Sequence, residues 1–262
     1  MESKKTTDFI CSWLKDYCLS AHQKGFVVGV SGGVDSALTS ALVAETGLEV
    51  LCVEMPIFQD QEQLKRSSNH IKWLKSKYPN VKSENIDLSM AFQSFSDLMP
   101  TGNNAELQNL GLINSRARLR MTSLYYLATL HSSLVAGTGN KIEDFGVGFY
   151  TKYGDGGVDI SPIADLNKSE VFQLAEYLGV NEDILKAAPT DGLWGDSRTD
   201  EDQLGASYPE LEWAMVQDVE GKVLSDFSGR EMEVFAIFKK LNSANQHKMR
   251  PIPVCEIPAE LK

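Results

Sequence analysis

Cysteine and histidine are scarce, four of each in 262 residues. Cys11, Cys18, Cys52 and Cys255 contain no Cys-x-x-Cys pair, and no histidines stand at zinc spacing beside them. This argues against a cysteine-bound metal and against a disulfide framework, and points to reduced, mostly buried thiols of a cytoplasmic protein. Long apolar runs are also missing: none approaches the roughly 20 residues that span a bilayer. The polar stretch Met1 to Asp8 has no apolar core of a signal peptide, so export is not expected. Positive charge is in deficit, 25 Lys and Arg against 36 Asp and Glu, a net −11. A nucleic-acid partner needs a basic footprint to displace counterions, so that class is disfavoured. A small anionic ligand is not, because a few converging basic groups and backbone amides suffice for phosphate. No repeat, low-complexity tract or linker interrupts the chain, which reads as a single domain over residues 1–262.

What is present is an ordinary globular composition, 42% hydrophobic and 23% charged, long enough to bury a sizeable core. Thr6 to Gln23 has helical spacing in Phe9, Ile10, Trp13, Leu14 and Tyr17. Phe26-Val27-Val28-Gly29-Val30 is a short buried-strand run, followed by a helix from Ala37 to Glu45. Glu49 to Glu54 reads as a second strand, Gln61 to Lys77 as an amphipathic helix and Val81 to Leu88 as a third strand. A long helix over Asn114 to His131 precedes a fourth strand, Ser133 to Gly137. Tyr150 to Gly157 reads as a mobile loop, Lys168 to Leu178 as a helix and Thr190 to Ser207 as a long acidic segment. A last helix covers Glu231 to Leu241. Strands alternating with helices give an α/β fold, a doubly wound parallel sheet with helices on both faces. Such sheets bind ligands beyond the carboxyl ends of their strands. Both glycine-bearing turns, after Val30 and after Ala136, fall there.

The first of these turns is the strongest local signal. Ser31-Gly32-Gly33-Val34-Asp35-Ser36 joins an apolar strand to a helix. Glycines let the backbone approach a ligand, and the new helix offers unpaired N–H groups and a positive dipole end to a phosphate. Ser31 and Ser36 add hydroxyl donors. Asp35 would be repelled by bare phosphate, which suggests a bridging Mg²⁺. The bland alternative is a tight turn in which Asp35 or Ser36 caps the helix. No Gly-Lys-Ser/Thr follows, so this is not a Walker loop. The lysine-free form suits ATP cleavage between the α- and β-phosphates.

Ser-Gly-Gly-x-Asp-Ser after a strand is similar to the pyrophosphate loop of N-type ATP pyrophosphatases. Further motifs narrow the resemblance: Asn114-Ser-Arg-Ala-Arg118-Leu-Arg120-Met121, Gly137-Thr138-Gly139-Asn140-Lys141-Ile142-Glu143, and Tyr150 to Asp159. Leu166-Asn167-Lys168, Pro189-Thr190 and Asp200 to Gly205 follow in order. From about Phe9 to Pro253 the set resembles the NAD synthetases. The resemblance implies ammonia-dependent amidation of nicotinic acid adenine dinucleotide through an acyl-adenylate, with ATP as co-substrate and Mg²⁺. It also implies a homodimer, and a chain without a glutaminase domain.

Residue by residue, the resemblance makes Ser31, Gly32, Gly33, Asp35 and Ser36 the pyrophosphate cradle and gives Mg²⁺ to Asp35 and Glu143. Thr138 matches a contact to the ATP ribose, Met55 the adenine edge, and Lys168 and Thr190 contacts to the ATP phosphates. Asp35, Lys168 and Thr190 are the expected catalytic set. Asn114, Arg118, Tyr125, Lys152, Asp155, Asp159, His247 and Lys248 match the dinucleotide site. Arg118 and Tyr125 share a helical face, whereas Arg116 and Arg120 read as a solvated face. Asp155 and Asp159 serve equally as turn formers beside Gly154 and Gly156. Three departures stand out: Gly139-Asn140 where some members have Asp-His, Gln203 at an often acidic position, and one extra residue between Glu143 and Tyr150. Competing readings are another ligase of the superfamily, such as a tRNA thiolase or lysidine synthetase, and a non-catalytic adenine-nucleotide-binding module. The acidic charge disfavours the first; Asp35, Glu143 and Lys168 together disfavour the second.

Overall fold

The computed structural model describes residues 1–190 and 199–262. In chain order its elements are α1 (Ser3–Ser20), β1 (Gly25–Gly29), α2 (Val34–Glu45), β2 (Glu49–Glu54), α3 (Gln61–Lys77) and β3 (Val81–Asn85). They continue with α4 (Ser89–Leu98), α5 (Ala105–His131), β4 (Ser133–Val135), a π-helical turn (Ile142–Val147) and α6 (Lys168–Leu178). The short helices α7 (Glu182–Leu185) and α8 (Asp200–Leu204) lead to α9 (Tyr208–Val219) and α10 (Gly229–Met249).

The four strands form one parallel sheet in the order β3-β2-β1-β4. The chain steps outward from β1 through β2 to β3, then returns by α4 and α5 to add β4 on the other side of β1. The topological switch therefore lies between β1 and β4, where both glycine turns emerge. Successive residues of β1 face opposite sides, as the pleat requires. Phe26 and Val28 pack with Leu14 of α1, Leu38 and Leu42 of α2, and Val171 and Leu174 of α6. Val27, with Leu51, Val53 and Val135, packs against Leu127 and Ala128 of α5. A third apolar cluster joins the π turn to α9 and α10 through Ile142, Val147, Leu211, Phe235 and Phe238.

Several boundaries depart from the sequence reading. Helix α5 begins at Ala105, well before Asn114, because the Asn104 side chain accepts from the N–H groups of Glu106 and Leu107 at 2.9 and 3.0 Å. Helix α10 extends to Met249, and β3 stops at Asn85. Tyr150 to Gly157, read as a mobile loop, is a chain of tight turns. Gly154 N–H donates to Thr151 O at 2.8 Å and Gly157 N–H to Gly154 O at 3.0 Å. Of the segment Thr190 to Ser207, residues 191–198 lie outside the described residues, and 200–204 form α8. Among the described residues, no helix is long and apolar enough to cross a membrane, and all four cysteines are free thiols.

Gly25 opens β1 directly against β2, where an added Cβ would run into the backbone carbonyl of Glu49. Gly25→Ala is expected to cost about 1–3 kcal/mol, the range for overpacking a tight interior. Urea unfolding of the two proteins measures it; equal midpoints would mean that the strands separate without strain.

Candidate active site

A cavity of about 890 Å³ opens at the carboxyl ends of β1 and β4. Its wall is built from the Ser31–Ser36 turn, the exit of β2, one face of α5, the Tyr150–Val158 turns, Lys168 and Thr190. In the phosphate turn Gly32 has φ +85°, and a Cβ there would stand 2.7 Å from the Gln63 carbonyl oxygen. The turn is thus pressed onto α3 in a conformation that favours glycine. Its serines staple it from within: Ser31 N–H donates to Ser36 Oγ at 3.1 Å, and Ser36 O–H to Gly33 O at 3.0 Å. Gly33 is the N-cap of α2 and supplies no side-chain cap. The first-turn amides therefore keep their capacity for an anion, and neither Asp35 nor Ser36 takes the capping role.

Asp35 instead faces two partners across the switch point. Its Oδ2 accepts from Lys168 Nζ at 2.6 Å, and its Oδ1 from Asn140 Nδ2 at 3.0 Å. Lys168 also donates to Glu143 Oε1 at 3.0 Å. Burial alone would lower the Lys168 pKa, but Asp35 and Glu143 outweigh it and hold the ammonium above its ordinary value. The lysine is placed by a capping box, Asn167 with Glu170, at the start of α6.

Glu143 is presented by the π turn. Asn140 is fully buried, and its Oδ1 accepts from the N–H groups of Ile142 and Glu143, both at 3.1 Å. One side chain thereby caps the turn that carries Glu143 and orients Asp35. Asn140, one of the departures noted in the sequence, holds the two candidate metal ligands together. The turn itself winds with i→i+5 bonds over Ile142–Val147, wider than an α-helix. Asp144 follows on the same turn, its carboxylate resting where a Gly139 side chain would stand. Burial, with Glu143, Asp155 and Asp35 adding, pushes the Asp144 carboxyl up to about 8.

Two carboxylates from separate turns thus converge on one cationic centre, the Lys168 ammonium, beside the phosphate turn. That donor set fits a hard divalent ion such as Mg²⁺. Among the described residues no three acidic, His or Cys side chains form a cage. An ion there would complete its oxygen shell with phosphate and water.

Residues 6–252 match the family model described as NAD synthase. The chain belongs to the NAD synthase family. It is 36% identical to an NH(3)-dependent NAD(+) synthetase of Carboxydothermus hydrogenoformans, covering 97% of each chain. Among solved structures it resembles an NMN synthetase from Francisella tularensis, with TM-score 0.82, 31% identity and 99% of both chains covered. It also resembles an NH3-dependent NAD synthetase from Campylobacter jejuni, with TM-score 0.78, 26% identity, and 98% and 100% covered.

In this member of the family, Ser31, Gly32, Gly33, Asp35, Ser36, Met55, Thr138, Glu143, Lys168 and Thr190 all line the same cavity. The residues matched to the dinucleotide divide. Asn114, Asp155 and Lys248 line it too; Arg118, Tyr125, Lys152, Asp159 and His247 stand outside its described lining. The outer residues are held in two separate sets, a chain and a pair. Arg118 donates to Lys152 O at 3.3 Å, Tyr125 O–H to Asp159 Oδ1 at 3.0 Å, and Lys152 Nζ to His247 O at 2.6 Å. Asp159 Oδ2 accepts from Val135 N–H at 2.9 Å, anchoring it to β4. Burial holds the Asp155 carboxyl above its ordinary range, and its Oδ1 accepts from Thr151 N–H at 3.0 Å.

Arg120 corrects the sequence reading. It lines the cavity rather than a solvated face, donating from Nε to Met55 O at 3.0 Å and from a terminal nitrogen to Gln59 Oε1 at 2.8 Å. Burial, with Arg116 adding, pushes its guanidinium down to about 10. Arg116 lies over the Phe92 ring, 4.9 Å from its centroid. Spacing on α5 carried a usable signal: Asn114, Ala117, Arg120, Met121 and Leu124 recur at three- and four-residue steps and all face the cavity.

Removing the Lys168 ammonium leaves two neighbouring carboxylates uncompensated. Lys168→Met is expected to lose about 3–5 kcal/mol of stability in EDTA, the cost of breaking a buried ion pair, and to regain part of it in Mg²⁺. Chemical denaturation with and without metal measures both. Equal stability of the two proteins in EDTA would show that the triad does not hold the turns together.

Proposed function

We propose that this ligase makes NAD from nicotinic acid adenine dinucleotide, ATP and ammonia, releasing AMP and pyrophosphate. The observation that carries the proposal is the convergence of Asp35, Glu143 and Lys168 beside an uncapped helix N-terminus at the switch point. A carboxylate resists attack by ammonia because it is anionic and lacks a leaving group. Its oxygen attacks the α-phosphorus of ATP, the α–β bridge breaks, and pyrophosphate departs against the α2 amides. The ammonia nitrogen then bonds to the acyl carbon of the adenylate, AMP leaves with the former carboxylate oxygen, and a proton is lost.

The chain's own groups serve these steps. Ser31 to Ser36 orient the departing pyrophosphate, and Lys168 supplies fixed positive charge beside the phosphates. Met55 presents a backbone edge to adenine, held by Arg120, while Thr138 and Thr190 contact ribose and phosphate. Leu110, Ile113, Leu124 and Val158 give the cavity apolar walls, which keep hydrolytic water from the adenylate. When bound, Mg²⁺ held by Asp35 and Glu143 supplies charge neutralisation between the phosphates. Asn114, Arg118, Tyr125, Lys152, Asp155, Asp159, His247 and Lys248 take the dinucleotide.

We further assign a homodimer and a cytoplasmic setting. Leu98, Leu107, Tyr126 and Leu130 on α4 and α5 are large, apolar and exposed, which suits an interface with a second copy. Four free thiols suit a reducing compartment. A second reading rests on the Francisella neighbour, whose name gives NMN as product. The same acyl-adenylate chemistry then acts on a mononucleotide.

Supplying ATP, Mg²⁺ and ammonium with the dinucleotide or the mononucleotide separates the readings. NAD, AMP and pyrophosphate are expected with the dinucleotide, and ammonium should outperform glutamine. ADP with phosphate, or no amide product, would overturn the reaction; faster turnover of the mononucleotide would favour the second reading. Asp35→Asn is expected to abolish turnover with the fold retained but the melting temperature lowered, because the Lys168 ammonium loses one of its two carboxylates; normal turnover would remove Asp35 from the chemistry.

A further inference from the structure

Tyr208, the first residue of α9, belongs to none of the motifs above. It is 3% exposed, with its ring packed in the cluster of Ile142, Leu211 and Phe235. Its backbone is fixed from two sides. Ser207 and Glu210 form a capping box at the start of α9, and Tyr208 N–H donates to Glu201 Oε1 at 2.9 Å. The hydroxyl reaches Glu143 Oε1 at 2.6 Å, with Asp200 Oδ2 at 3.3 Å. The ring face lies 4.6 Å from Lys168 Nζ.

A phenol carries one proton, and the shorter contact marks Glu143 as its acceptor. Lys168 donates to the same oxygen, Oε1, at 3.0 Å. Two donors therefore saturate one side of the Glu143 carboxylate. We infer that Tyr208 is a positioning residue for Glu143, fixing the carboxylate through Oε1 so that Oε2 is presented to the metal ion that accompanies ATP. Its ring supports the Lys168 ammonium by a cation–π contact in the same arrangement. This role rests on the proposed metal–ATP site and extends it to a residue that touches neither metal nor substrate.

Tyr208→Phe in the full chain deletes only the hydroxyl. With Mn²⁺ as the probe, titrated by electron paramagnetic resonance in the presence of ATP, affinity is expected to fall about tenfold, as for other partners that orient a metal ligand. The half-saturating Mg²⁺ in the NAD assay should rise by a similar factor, with kcat at saturating Mg²⁺ and the melting temperature little changed. In a double-mutant cycle, adding Tyr208→Phe to Glu143→Gln should cost no further Mn²⁺ affinity. Unchanged Mn²⁺ affinity, multiplicative losses in the cycle, or early melting with an unaltered Mg²⁺ dependence would each overturn the inference. Mn²⁺ binding is read directly, so absence of NAD formation by the parent protein would overturn the reaction and leave this test intact.

Discussion

The buried Lys168 ammonium, held between Asp35 and Glu143, is the interaction on which the site depends. Asp35 opens α2, Glu143 rides the π turn after β4, and Lys168 opens α6. Two like charges brought into one buried place would repel each other without a cation between them. The positive end of α2 favours Asp35 locally, but only the lysine spans both carboxylates. Asn140 reinforces the arrangement by bonding to Asp35 while capping the turn of Glu143.

The parallel sheet makes this convergence possible. Strand order reverses between β1 and β4, so the turns after these neighbouring strands open side by side. An acidic chain can hold a polyphosphate there because the attraction is local: α2 amides with no side-chain cap, Lys168, and Arg120 and Lys248 on the cavity wall. Net charge describes long-range behaviour, whereas a bound phosphate responds to the donors within a few ångströms.

Around that centre the residues matched to the dinucleotide fall into those that line the cavity and those that do not. Asn114, Asp155 and Lys248 face the cavity, while outside its lining Arg118, Lys152 and His247 form one hydrogen-bonded chain and Tyr125 and Asp159 a separate pair. The division follows from helix geometry. Positions 114, 117, 120, 121 and 124 of α5 occupy the face turned to the sheet's carboxyl end, and Arg118 and Tyr125 fall on a different face of the same helix. Met55 joins the two sides through its carbonyl, which Arg120 grips from α5.

Sequence alone determined the parallel α/β architecture and the glycine turn between β1 and α2, because both rest on short-range constraints. Apolar runs of strand length, helical periodicity and a glycine pair between strand and helix are legible without partners. It also picked out Asp35 by its negative charge within that turn, and Glu143 and Lys168 by resemblance rather than by any property of the isolated residues. Tertiary structure decided what lies beyond that range. Helix α5 starts early because Asn104 caps it, Arg120 turns inward because Met55 and Gln59 accept its hydrogen bonds, and the segment carrying Glu143 winds as a π turn. Asn140 and Tyr208 acquire their places only when segments far apart in the chain meet, Asn140 at the Asp35 carboxylate and Tyr208 at that of Glu143. No local pattern encodes such a meeting, since each partner alone is an ordinary polar side chain.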